Sequence, residues 1–372
     1  MSDTSAASAP YSPDKNLPPV QPPTLGFLVQ LFVIPALIVG SIVMVWMLID
    51  WLAHMGNEPG KEIEILASGS KGRWQAAHNL AKELAQDRDG ELRGNTEMAR
   101  KLAGIFNTAL DTPLAKGSGP QETSERQEAL QLRYYLARAL GLFTVDAGTT
   151  VLLRAATPTD NPEELPVQVA ALDSLGQLTS AMHTPGKEAP ASSVKPWERE
   201  AEVRAALLAA SQRPEVEIRE HAAFHLGQFP DPAVTTRLEQ LTEDAQLFTR
   251  FHAATSLAIQ GYPKSLPVLR ELLEVTPAEL LPPEFRKTPE QIKELDEAAQ
   301  RRYQNELTKE QGIADQKRLL VIRNTLDSLV KLKEKNPEVD LSAILPAVER
   351  LQADPNKQLS AKAKEVYETL KK

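Results

Sequence analysis

Cysteine is absent from the 372 residues, which excludes disulfides, thiolate metal sites and cysteine nucleophiles. Aromatic residues are few, 5% of the chain against 42% hydrophobic overall, so the apolar share rests largely on Ala and Leu. That balance suits close helix packing rather than an aromatic-rich sheet core. No long basic run occurs and the net charge is -8, which argues against nucleic acid as a partner, since phosphate binding needs clustered Lys and Arg. Glycine-rich phosphate loops, G-x-S-x-G elbows and H-E-x-x-H are missing as well. The sequence therefore presents no assembled catalytic set.

What is present changes character along the chain. Residues 1–24 are rich in Ser, Ala and Pro, and Pro18, Pro19, Pro22 and Pro23 favour extended polyproline geometry, so this stretch is expected to be a disordered, solvated tail. From Leu25 to Ile49 no charged residue occurs. At about 1.5 Å per residue those 25 positions exceed the roughly 30 Å hydrocarbon core of a bilayer, which predicts a transmembrane helix over 25–52. Trp46, Trp51, Asp50 and His54 suit its interfacial end, and Pro35 near its start removes only one backbone donor. A cleaved signal peptide fits worse, because the run is too long and no small-residue cleavage motif follows. No second apolar run of this length exists, so the chain is expected to cross once. Lys61, Lys71 and Arg73 against Lys15 tilt the orientation toward a cytoplasmic C-terminal domain.

The strongest pattern is a tandem repeat from Val216 to Val275. Counting from Arg219 and Arg250, the period is 250 − 219 = 31 residues. Ala222, Ala223 and Leu226 match Ala253, Ala254 and Leu257; further on, Pro232, Leu238 and Leu241 match Pro263, Leu269 and Leu272. The same offsets recur from Arg73, Arg133 and Gln168, with insertions at Leu114 to Thr123 and Thr179 to Pro196. Offsets three, four, seven and eight lie on one helical face, where Ala and Gly allow close approach and Leu fills the space. One two-helix unit cannot bury that face alone, so neighbours must stack.

These residues resemble the HEAT family, and more closely its bacterial branch with units of about 30 residues. The resemblance is clearest over Glu215 to Val275 and extends from Ile63 to Val275. It implies a right-handed stack of helical hairpins with a ridge for partner binding, usually in a scaffold or adaptor. Beyond Pro277 the pattern lapses. Pro282, Pro283 and Pro289 break the chain, a charged helix is expected over Glu290 to Leu307, and Gly312 is expected to separate it from a helix that carries Leu319, Ile322, Leu326, Leu329 and Leu332, packs onto the array and is stopped by Asn336 and Pro337. With 12 bases and 11 acids from Glu279 to Lys335, this stretch is a mixed-charge element rather than a tail of one sign.

Some HEAT-like enzymes hold a di-iron centre with repeated His-Glu dipeptides, and His221, His225 and His252 raise that possibility, since two lie four apart and two share a repeat offset. The chain departs from that pattern: Glu220 precedes His221, Phe251 precedes His252, and no His-Glu dipeptide occurs. The histidines are therefore assigned to packing or surface. Another HEAT-like group attaches bilin pigments, and no residue here selects that chemistry. The recurring Arg73, Arg133, Arg219 and Arg250 could form an anion-binding row, but local structural ion pairs account for them better. Trp197 suits helix-start packing.

The reading is thus an all-α protein, an α-solenoid of HEAT-like helical hairpins preceded by one transmembrane helix. Its divisions are expected at 1–24 (tail), 25–52 (membrane helix), 53–62 (linker), 63–276 (repeat array with loop insertions), 277–336 (charged helical insertion) and 337–372 (capping helices). The expected function is a membrane-anchored scaffold for protein–protein interaction without catalysis; a metal-dependent or lyase-type enzyme on a HEAT-like array is the other reading. No catalytic, cofactor-binding or metal-ligating residue and no cofactor is assigned. Protein and membrane are the expected partners, and nucleic acid is not.

Overall fold

The computed structural model describes residues 26, 32–54, 59–69, 72–183 and 197–371. The Pro-rich stretch 1–24, residues 25 and 27–31 of the long apolar run, and most of the Thr179–Pro196 insertion lie outside these residues. The chain divides into two compact units, 1–58 and 59–372. Among the described residues there is no strand.

In the first unit, helix α1 (Ile34–His54) is built almost wholly from apolar residues. Its large side chains from Ile34 to Ile49, including Leu37, Met44 and Trp46, are exposed on every face. Among the described residues no helix is long and apolar enough to cross a membrane. The transmembrane reading of 25–52 thus reaches beyond what the described part of that run carries.

The second unit begins with α2 (Pro59–Ser68) and continues as hairpins. These pair α3 (Arg73–Gln86) with α4 (Thr96–Asp111), α5 (Pro120–Gly141) with α6 (Thr149–Ala155), and α7 (Leu165–His183) with α8 (Glu200–Ala210). Next come α9 (Val216–Leu226) with α10 (Pro232–Leu241), and α11 (Leu247–Gln260) with α12 (Leu266–Leu273). After α13 (Pro289–Lys293), the long α14 (Glu297–Lys335) leads to α15 (Leu345–Leu351), and α16 (Lys357–Leu370) ends the stack. The first helices of successive hairpins form one row, with α3 on α5, then α7, α9, α11, α14 and α16 in turn.

Local chemistry sets the boundaries. Asn95, Asp231, Asp296 and Asn356 accept backbone N–H groups at the starts of α4, α10, α14 and α16. Pro232 occupies the first turn of α10, where no donor is lost. At the end of α11, Gly261 sits at φ 92° while its N–H and that of Tyr262 return to Ala258 and Leu257, an ending that a Cβ would strain. Inside, the repeat positions are buried as their spacing demands: Leu136, Ala137, Ala222, Ala223, Leu226, Ala253, Ala254 and Leu257 are all fully enclosed. One core runs from Leu66 to Leu257 and a second from Phe251 to Leu370, and they interleave on α11.

The structure differs from the sequence reading after Pro277. Gly312 does not divide two helices; it lies inside the single 39-residue α14. A lone glycine costs a helix only about 1 kcal/mol, and the Glu, Lys, Gln, Ala and Leu around it are good helix formers with no proline among them. The second half of α14 takes the next place in the first-helix row, burying Ile322, Leu326, Leu329 and Leu332 against the second core.

Candidate functional site: an arginine ladder and a trough on the first-helix row

Three of the four repeated arginines, Arg133, Arg219 and Arg250, tie their hairpins together; Arg73 does not, and its buried Nε has no hydrogen-bond partner among the described residues. Arg219 donates from Nε to Asp244 at 2.8 Å and from Nη1 to the carbonyls of Arg213 and Pro214. One unit on, Arg250 donates to Glu271 and to the carbonyls of Asp244 and Ala245. Arg133 does the same with Glu164 and the carbonyls of Ala109 and Thr112. At the place of Gln168, which has no charge, Arg213 reaches in to the amide oxygen at 2.7 Å. Arg318 repeats the scheme with Asp354 at 2.7 Å and the Val275 carbonyl at 3.1 Å. Hence the repeat register resumes at Arg318, with Ile322 four residues on, a signal the sequence contains but the intervening prolines obscure.

These charges are spent on the fold. The hydrogen bond to Asp244 holds the Arg219 guanidinium above its usual value despite burial. Burial pushes Arg133 down, with Glu164 opposing. A cleft of about 880 Å³ lies beside Arg318, Arg350 and Asp354, but Arg318 pairs with Asp354 and Arg350 with Glu274. Both arginines of that cleft are thus already paired.

The opposite arrangement occurs on the exposed face of the first-helix row. There, α7, α9, α11 and α14 bound two adjoining clefts of about 300 Å³ and 220 Å³ that share Phe224 and His252. Asp173 of α7 forms the floor of the first. It accepts from His221 Nδ1 at 2.6 Å and from His225 Nε2 at 2.9 Å on the same carboxylate oxygen. His225 is buried, and its Nδ1 faces the Gln228 amide nitrogen at 3.3 Å. That network fixes the tautomer: Nε2–H donates and Nδ1 accepts. Burial alone would raise the Asp173 carboxyl, yet the hydrogen bonds from His221 and His225 hold it far below the usual carboxylate range. Reciprocally, the bond to Asp173 raises His221, against the opposing effect of burial.

Sequence reasoning found the three histidines but not Asp173, which stands 221 − 173 = 48 residues away on another helix. The structure brings His221 and His225 together on this acid, and places His252 against Phe224 with ring centroids 5.2 Å apart and 3.8 Å from Glu220. Among the described residues no group of three or more His, Asp or Glu is disposed to hold a metal ion. Phe224 and Ile259, which line the second cleft, remain 54% and 49% exposed despite their size. Their signal was their repeat position: five residues after Arg219 and nine after Arg250, both on the face opposite the core. Trp197 is buried at the entry to α8.

Residues 203–281 match the family model described as HEAT repeats. Among curated proteins, none matches the chain in sequence. Among solved structures, YibA of Escherichia coli shares 13% identity over 85% of this chain and 93% of its own, with a TM-score of 0.36. Human deoxyhypusine hydroxylase in complex with glycerol shares 14% over 84% and 96%, with a TM-score of 0.28. An engineered protein shares 17% over 84% and 78%, at 0.36. At such identities and scores these likenesses bear on neither activity nor partner. The chain is an all-helical, repeat-like protein with a HEAT-repeat match over its central hairpins.

Proposed function

We propose that the protein is a membrane-anchored HEAT-like scaffold whose array holds another protein, with no catalytic step of its own. The observation that carries this reading is the contrast between the two faces of the hairpins. The charges of Arg133, Arg219, Arg250 and Arg318 are paired within the stack, whereas the first-helix row leaves the large apolar side chains of Phe224 and Ile259 half exposed in a trough. A continuous stack of hairpins supplies an extended surface of the kind repeat proteins use for partner binding. Support for the anchor comes from the uncharged run Leu25 to Ile49 and from α1, whose exposed apolar side chains need a non-aqueous surrounding.

Capture of the intact protein from gently solubilised membranes is expected to recover a reproducible partner that disappears when residues 59–372 are deleted. Recovery of the same set without the array contradicts the scaffold reading. The anchor is tested separately: the chain should resist alkaline carbonate extraction from membranes, and a variant lacking residues 25–52 should not. Protease protection of the C-terminal domain in sealed vesicles then decides the side, and the flanking bases favour accessibility from the cytoplasm.

A further inference from the structure

The trough on the first-helix row has a definite chemistry. Its apolar floor is Phe224 and Phe251, with Ile259 at the edge, and the two clefts meet at Phe224 and His252. Its rim carries carboxylates. Glu220 lines the first cleft and exposed Glu217 lies one turn before His221, whereas Asp327 of the second is already bridged by Lys362 at 2.9 Å. The ammonium in the second cleft, Lys331, is held by Glu334 at 2.8 Å. Leu320, two residues after Arg318 and therefore at the ridge position of His221 and His252, is 58% exposed. Large apolar side chains thus recur along the ridge of three successive first helices, among carboxylates.

We propose that this trough is a docking surface for an amphipathic helix of a partner protein that inserts an aliphatic or aromatic side chain beside Phe224 and carries Lys or Arg toward Glu220 and the neighbouring exposed Glu217. The proposal rests on the scaffold reading and adds the surface and the chemistry of the partner to it. An apolar stripe seated in a groove supplies the affinity of helix-in-groove recognition, and a half-exposed aromatic at its centre is the usual energetic anchor. The acidic rim selects basic flanks and rejects acidic ones, which is where electrostatic complementarity acts most.

The test uses the purified full-length chain in neutral detergent and two fluorescein-labelled helical peptides of about five turns. Both carry one leucine stripe; one has lysine flanks and the other glutamate flanks. The lysine peptide should bind at least about tenfold more tightly than the glutamate peptide by anisotropy. Phe224→Ala should weaken the lysine peptide about tenfold, and Glu220→Lys should remove the preference between the two. Because both side chains sit at the surface, unchanged circular dichroism will accompany these losses. Glu128→Lys, an equal charge change at an exposed position of α5, should leave binding intact. No binding of the lysine peptide, or equal effects of Glu220→Lys and Glu128→Lys, overturns the proposal. If the array captures a cellular partner and Phe224→Ala leaves that capture unchanged, the scaffold reading stands and this surface is wrong.

Discussion

A Cβ built on Gly176 of α7 would fall 1.9 Å from Nδ1 of His225 on α9. The imidazole therefore occupies space that only glycine leaves open. Gly176 stands eight residues after Gln168, and His225 stands six after Arg219. The same relation joins Gly141 to Ser174 and Gly227 to Ser256, whose side chains lie 2.5 and 2.4 Å from the missing Cβ positions. Ser174 and Ser256 then donate to the carbonyls of Ala137 and Ala223 in the preceding unit. Position eight of one repeat thus receives position six of the next, and sets how closely successive first helices approach.

Gly176→Ala should lower stability by about 1–3 kcal/mol, the usual cost of overpacking, read as a fall in melting temperature. His225→Ala in the same chain should recover part of that loss, since the clash is pairwise. By contrast Gly312, with nothing near its Cβ position inside α14, should tolerate Ala and gain about 0.5–1 kcal/mol. Destabilisation by Gly312→Ala would mean that the helix is interrupted there after all.

Breaking the ladder should be costly and specific to guanidinium geometry. Arg219 and Asp244 have side chains only 16% and 10% exposed, so Arg219→Ala, which strands the acid, should cost about 2–4 kcal/mol. Arg219→Lys should restore little, because an ammonium cannot bridge Asp244 and the Arg213 and Pro214 carbonyls together. Full recovery by lysine in chemical denaturation would reduce the ladder to simple charge pairing.

The contact between His221 and Asp173 makes stability depend on pH, with a sign that can be worked out. His221 is raised above 6.5 in the fold, so its contribution is complete below that value and fades as pH rises through the folded one. Asp173 is held below 3.8, so its contribution is present above that value and fades as pH falls through the folded one. The α7–α9 contact is therefore firmest between 3.8 and 6.5. Melting temperature should decline as pH is raised from about 6 to about 8.5, and this part of the decline should vanish in Asp173→Asn. An identical slope in both proteins would contradict the assignment.

Much of the core was legible in the sequence because helical spacing alone decides it: Ala222, Ala223 and Leu226 are buried where their periodicity puts them. The close approach at Gly176 was not, since it joins positions on two helices separated by an insertion. Nor was Asp173, for the same reason, although it determines what His221 and His225 do. The resumption at Arg318 escaped because proline breaks and Gly312 suggested the end of the array, while helix propensity carries α14 through the glycine. Phe224 and Ile259 were visible as residues, but only the stack shows that their common face remains uncovered.

The central claim, that the trough holds a partner protein, is tested most directly by photo-crosslinking in intact cells from single positions of the full-length chain. A photoreactive residue at Phe224, Ile259 or Leu320 should yield one discrete adduct of the same mass, and at Glu128 or Gly104 it should yield none. Adducts of equal strength from all five positions, or none from the trough while the array still captures a partner, would contradict the account.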